Sequence, residues 1–323
     1  SIVLLKNESS LLPIKKNGQK ITLIGHLADD NNSPLGNWRG AGESNSAVTV
    51  LEGLENYGKN SITYKKGVDL YYGETNFHNR VKLNHTDKTG FKEAKLAAKS
   101  ADIVVMVLGE EGFQSGEGRS RTELGLPGLQ QELLEEVYKI NKNIVLVLMN
   151  GRPLNLTWAD ENIPSILETW HLGTQSGNAI AQVLYGDYNP SGKLTMSFPR
   201  NVGQVPLYYN YKKTGRPGAS SAEVTKSTYA DVENSPLYPF GYGLSYTNFT
   251  YSELSLSSKE ITRDDTIVVS VKITNTGKVK GKEVAQMYIR DHYGSLARPV
   301  KELKGFELLE LNPGETKEVS FEI

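Results

Sequence analysis

The stretch DIVVMVLG (102–109), continuing as EEGFQSGEGRSRTELGLPG (110–128), decides how this chain folds. Its first part is a near-continuous apolar run, the pattern of a strand buried on both faces. Its second part is a charged, glycine-rich loop, longer than the usual strand-to-helix connection of about 2–6 residues. In a parallel α/β sheet, ligands bind beyond the carboxyl ends of the strands. The loop therefore lies where chemistry is expected.

Reading outward, strand and helix signals alternate from residue 21 to about 200. ITLIG (21–25), SITYKKG (61–67), NIVLVLMNG (143–151) and SILETW (165–170) read as further strands. VTVLEGLENYG (48–58) reads as a helix with Gly58 as its C-cap, and GFKEAKLAAKSA (90–101) as a helix with one apolar face. PGLQQELLEEVYKIN (127–141) reads as an amphipathic helix started by Pro127. TQSGNAIAQVLYG (174–186) reads as a helix capped by Thr174 or Ser176 and ended by Gly186. Repeated βα units predict an α/β domain built on a mainly parallel sheet with helices on both faces.

From about residue 245 the pattern changes. Segments 265–277, 283–291, 302–315 and 316–323 alternate apolar and polar residues, punctuated by Asn-Thr-Gly and Asn-Pro-Gly. This is a β-sandwich pattern. Only four or five strands are expected, where such a sandwich has about seven, so the second domain reads as incomplete. Between the domains, 203–245 is rich in Tyr, Pro, Gly and Ser, and long for a linker. Its apolar residues Val205, Leu207, Tyr208, Tyr238, Phe240 and Tyr242 predict packing across a domain surface. No internal repeat or low-complexity tract is present. The chain opens on Ser1 rather than Met, with no signal peptide, and closes inside a strand pattern, so it is expected to be a fragment.

Composition narrows the function. The 323 residues carry a formal net charge of −1, which argues against a nucleic-acid partner. Mean hydropathy is −0.42, and no apolar run approaches the roughly 18–20 residues of a membrane span. With no cysteine, disulfides, thiol catalysis and cysteine-ligated zinc are excluded. The five histidines are scattered without metal-ligand spacing, so no metal or cofactor is expected. The loop 109–126 contains no GxxxxGK[ST] or GxGxxG, and its glutamates would repel phosphate. A GxSxG elbow is also missing, which leaves a serine-hydrolase reading without support.

Glu117 is the candidate general acid. It sits mid-loop between two glycines, near Phe113 in sequence, with Arg119 or Arg121 available to orient it. An apolar setting or a second carboxylate would raise its pKa enough for proton donation near neutrality. A solvated connector is the competing reading. Glu110, Glu111 and Glu123 read as solvated or capping residues. A second loop, HLADDNNSPLGNWRGAG (26–42), follows ITLIG at the same edge and carries Trp38. Trp38 is either a plug between loop and core or a stacking platform for a sugar ring.

A long ordered series of motifs resembles the C-terminal half of glycoside hydrolase family 3, the β-glucosidase and β-xylosidase family. The series comprises SIVLLKN, SGEGRSRTELGLP, IVLVLMNGRPL, SILETWHLGTQSGNAIAQVLYGDYNPSGKLTMSFPR, LYPFGYGLSYTNF and VKITNTGKVKGKEVAQMYI, then RPVKELKGFELLELNPGE. The resemblance covers nearly the whole chain. It implies an α/β sandwich domain over 1–205, a connecting segment over 206–245, and a fibronectin type III-like domain over 246–323 that lacks its last strands. It also implies a partner, an N-terminal (β/α)8 barrel of the same protein that is absent here.

The implied activity is retaining, exo-acting hydrolysis of β-glycosides or oligosaccharides, glucosides first and xylosides second. A barrel Asp would be the nucleophile and Glu117 the acid/base. Trp38 and Phe113 would line the substrate cleft. Without the barrel, the chain alone is expected to be inactive. A non-catalytic sugar-binding or structural module is the alternative. Family habit implies a periplasmic or secreted location.

Overall fold

A computed structural model describes residues 2–218, 224–262 and 264–323. They divide into two compact units: residues 1–188 with 198–205, and residues 189–197 with 206–323.

The first unit contains β1 (Val3–Asn7), β2 (Asn17–Ile24), β3 (Lys59–Lys65), the two-residue strands β4 (Tyr71–Tyr72) and β5 (Lys82–Leu83), β6 (Ile103–Gly109), β7 (Ile144–Met149) and β8 (Ser165–Glu168). Its helices are α1 (Val50–Tyr57), α2 (Phe91–Ser100), α3 (Gln130–Tyr138), α4 (Thr157–Asn162) and α5 (Ser176–Leu184). Six strands form one sheet in the order β1-β8-β7-β6-β2-β3. All pairings are parallel except β1 with β8, so the mainly parallel α/β sheet predicted from the sequence is present, with one antiparallel edge strand. Every residue of β6 and β7 is buried, as their unbroken apolar runs require.

The order of the parallel strands places the site. From β2 the chain moves outward to β3, then crosses back to β6 on the other side of β2 and continues to β7 and β8. The direction of winding reverses between β2 and β6, and in open α/β sheets ligands bind beyond the carboxyl ends at such a reversal. The loops 25–42 and 109–126 leave the sheet at these two strands.

The helix termini differ from expectation in two places. Pro127 does not start α3; Gly128 adopts φ +64°, a left-handed conformation that no helix continues through, and the helix begins at Gln130. Neither Thr174 nor Ser176 caps α5, whose N-cap is Gln175 with no side-chain bond. The Val48 carbonyl instead accepts from Gly177 N–H, so a neighbouring segment satisfies that helix end. Gly58 is the C-cap of α1, as expected, although it is extended at φ −121° rather than left-handed. A Cβ there would lie 2.4 Å from Tyr185 Oη, so close packing, not turn geometry, demands the glycine. At the start of α1, Thr49 and Glu52 form a reciprocal capping box.

The second unit holds β9 (Phe249–Leu256), β10 (Val268–Asn275), β11 (Gly281–Ile289), β12 (Glu302–Leu311) and β13 (Thr316–Glu322). They form two antiparallel sheets, β13-β10-β9 and β11-β12, around Ile273, Ala285, Leu309, Leu311 and Val319. β9 lies outside the segments read as strands, for a reason visible in its register. Ser252 pairs with Lys272 but Ser255 with Ser270, a bulge that includes Glu253 at φ +53°. The bulge shifts the phase of the apolar alternation from Phe249 and Tyr251 to Leu254 and Leu256. In the segment before β9, Tyr209 stacks on Phe240 at 4.1 Å and Tyr238 is buried, whereas Val205 and Tyr208 are exposed, contrary to their expected packing. Residues 219–223 of the expected connecting segment lie outside the described residues.

Candidate active site

Five loops rise from the carboxyl end of the first unit's sheet, and the side chains within them lock one loop to the next. The Asn37 amide of loop 25–42 donates to the Ser115 carbonyl of loop 109–126. This contact explains Gly116: a Cβ there would fall 1.9 Å from Asn37 Nδ2, and its φ is +111°. The segment after β3 joins as well. Thr75 Oγ1 donates to Glu111 Oε1 at 2.9 Å, and Arg119 Nη2 donates to the Phe77 carbonyl.

Glu117 stands at the exposed crest of its loop, between Gly116 and Gly118. Its carboxylate has no hydrogen-bond or ion-pair partner among the described residues. The expected orienting arginines are engaged elsewhere: Arg119 with Phe77, and Arg121 with Glu110 at 2.8 Å and the Gly125 carbonyl at 3.0 Å. The apolar setting expected around Glu117 is likewise not supplied by this unit. The loop's geometry serves to present a carboxylate rather than to bury one.

Trp38 is 69% exposed, so it is not a plug beneath its loop. Its ring meets Phe77 edge-on at 6.3 Å. Phe113 is half-buried, and the Arg39 guanidinium covers its ring at 4.2 Å from the centroid.

Of the neighbouring acids, Glu123 is exposed and Glu111 caps the turn Gly112–Gln114, as expected. Burial pushes the Glu111 carboxyl up, against the Thr75 hydroxyl and the Phe113 N–H that favour its charged form. Glu110 departs from expectation, being fully buried and paired with Arg121 and Arg152. Glu168, at the end of β8, is also fully buried. Desolvation pushes its carboxyl up to about 8, although the Trp170 N–H and the Asn150 amide both donate to it. Burial pushes the His171 imidazole down, and its Nε2 lies 3.3 Å from the Glu110 carbonyl oxygen. Among the described residues, no group of three or more His, Cys, Asp or Glu is placed to hold a metal ion.

Comparison with known proteins assigns this architecture. The model of the glycosyl hydrolase family 3 C-terminal domain matches residues 2–246, and that of a fibronectin type III-like domain matches residues 283–323. The chain belongs to glycoside hydrolase family 3. It is 49% identical to a periplasmic β-glucosidase of Salmonella typhimurium, covering 100% of this chain and 43% of that protein. It is 44% identical to a β-xylosidase of Formosa agariphila, again over 100% of this chain and 43% of the relative. Among solved structures, a β-glucosidase from Listeria innocua in complex with isofagomine superposes with a TM-score of 0.89 at 38% identity, covering 100% of this chain and 43% of that one. The chain thus spans less than half the length of these relatives. No helix among the described residues is long and apolar enough to cross a membrane.

Glu168 and Phe77 of this family 3 chain are missing from the reading of its sequence, which makes Glu110 a solvated or capping residue. The two acids did leave a signal, since each sits at the carboxyl end of a buried apolar run, where a charge is costly unless it has a task. Phe77 left none, being one aromatic in a polar loop far along the chain from Trp38.

Proposed function

We propose that this chain supplies the acid/base carboxylate and the leaving-group side of the cleft to a retaining, exo-acting β-glycosidase. Its nucleophile is an Asp on an N-terminal (β/α)8 barrel of the same protein. The observation that carries this reading is the placement of Glu117: an exposed carboxylate without a partner, on a loop at the switch point between β2 and β6. The names of its relatives, β-glucosidase and β-xylosidase, supply the substrate class. β-Glucosides are the first substrate and β-xylosides the second. The location is the periplasm, as in the Salmonella relative.

In the first step the barrel Asp attacks the anomeric carbon while Glu117 protonates the departing glycosidic oxygen. In the second step Glu117 removes a proton from water, which displaces the Asp from the sugar. The two carboxyls stand about 5–5.5 Å apart in such enzymes. Trp38 provides a flat aromatic face for the leaving sugar, with Phe77 set edge-on to it, and Phe113 lines the cleft under Arg39.

A mixing experiment tests the reading. This chain and the barrel are assayed alone and together on aryl β-glucosides and β-xylosides. Activity is expected only on mixing. Glu117→Gln should lower it by about 10²–10⁴-fold for poor leaving groups. Stable association with activity indifferent to Glu117→Gln would remove Glu117 from the mechanism. Association and sugar binding without turnover would mark the chain as a sugar-binding module.

A further inference from the structure

The Glu117 side chain makes no hydrogen bond or ion pair among the described residues, and glycines flank it on both sides. A general acid must come within about 2.6–3.2 Å of the atom it protonates. A misplacement of about 1 Å costs roughly 10²-fold in rate. Something other than Glu117 must therefore hold the loop.

The structure shows what does. Glu110, the first residue beyond β6, is completely buried, and its backbone N–H continues the sheet by donating to the Met149 carbonyl at 2.7 Å. Two guanidinium groups converge on its carboxylate: Arg121 Nη1 at 2.8 Å and Arg152 Nε at 2.9 Å, both from Oε1. The Gly151 N–H reaches Oε2 at 3.3 Å. Neither arginine ends there. Arg152 Nη2 donates to the Gln114 carbonyl, and Arg121 Nη2 donates to the Gly125 carbonyl at 3.0 Å. One arginine thus grips the loop before Glu117 and the other grips it after. The planar guanidinium fork makes this possible, because a single group bonds a carboxylate and a carbonyl at once in fixed directions.

We propose that Glu110 is a positioning residue for the reaction: a buried anchor at the end of β6 that, through Arg121 and Arg152, fixes both ends of the Glu117 loop and so the point at which the proton is delivered. The inference rests on Glu117 being the acid/base. It explains why a carboxylate lies fully buried where solvation would be cheaper, since isolated burial of that charge would be prohibitive without both cations.

The test uses the barrel-containing protein and two substrates that differ in their need for an acid. A dinitrophenyl β-glucoside departs with little protonation, whereas an alkyl β-glucoside requires it. Glu110→Gln is expected to lower kcat/KM by about 10²-fold on the alkyl substrate and much less on the dinitrophenyl one. In a Glu117→Gln background the same change should have no further effect, because residues acting through one group are not additive. Arg121→Lys serves if Glu110→Gln does not fold. Its ammonium can meet Glu110 but cannot hold the Gly125 carbonyl as well, and about a 10-fold loss with the same leaving-group dependence is expected. On the 323-residue chain itself, trypsin should cut after Arg119 faster in either variant.

Equal losses on both substrates, losses that persist in Glu117→Gln, or an unchanged cleavage rate would overturn the positioning role. A single Glu117→Gln variant with no leaving-group dependence would instead overturn the acid/base assignment and leave the anchor without its purpose.

Discussion

Glu110 and Glu168 are both buried carboxylates at the carboxyl ends of strands, on either side of β7, and their surroundings differ. Two guanidinium groups pair with the Glu110 carboxylate. The donors around Glu168, the Trp170 and Thr169 N–H groups and the Asn150 amide, are neutral, and with desolvation dominant its carboxyl is pushed up to about 8. Its folded pKa lies above the ordinary carboxylate value of about 4.3. The folded state therefore holds a proton that the unfolded chain releases. The stability this contributes is complete at low pH and is lost as pH rises from the unfolded pKa through about 8. Unfolding free energies from denaturant titrations across that range should fall for the parent chain and fall less for Glu168→Gln, by on the order of a few kcal/mol at the alkaline end. Parallel curves for the two proteins would mean that Glu168 is ionised throughout.

At the scale of elements, the pair α1 and α5 shows how tightly sequence and packing constrain each other. A Cβ on Gly177 would lie 1.8 Å from the Thr49 carbonyl oxygen, and one on Gly53 would lie 2.1 Å from the Gly177 carbonyl oxygen. Helix propensity alone favours alanine over glycine by about 1 kcal/mol. The collision with backbone, which cannot swing aside, outweighs it. Gly177→Ala should destabilise the first unit by about 1–3 kcal/mol, measured by urea unfolding. A gain in stability would show that the helices can separate freely. The elements themselves were legible wherever the signal was local. The buried strands β6 and β7 were legible as unbroken apolar runs, and the apolar faces of α2 and α3 from periodicity, because a helix repeats every 3.6 residues. β9 was not, because the bulge at Glu253 resets its phase. The N-terminus of α5 was misread because the Val48 carbonyl takes one of its free N–H groups, and a distant acceptor leaves no mark in the local pattern.

For the whole molecule, the two units carry unequal cores. The first encloses the fully buried β6 and β7, whereas the second is organised around five buried residues, with Phe306 and Leu254 left 71% and 72% exposed. Stability scales with apolar surface removed from water, at roughly 25 cal/mol per Å². The second unit should therefore unfold at lower denaturant than the first, giving two transitions in the 323-residue chain. Ile273→Ala should move only the earlier transition, by about 2–5 kcal/mol. A single coincident transition, shifted as one by this change, would show that the chain unfolds as a single cooperative body.

The amino-acid sequence by itself determined the α/β class, the sheet-edge loop carrying Glu117, the β-sandwich pattern that follows, and the family. Each is written in short-range periodicity or in ordered motifs that survive without knowledge of contacts. Only the tertiary structure decided that Arg121 and Arg152 meet on Glu110, that Trp38 is exposed beside Phe77, and that Glu117 stands without a partner. Those facts depend on which loops the strand order brings to one edge of the sheet. The reversal between β2 and β6 joins segments far apart in the chain, and no local pattern encodes which distant charge a buried carboxylate will find.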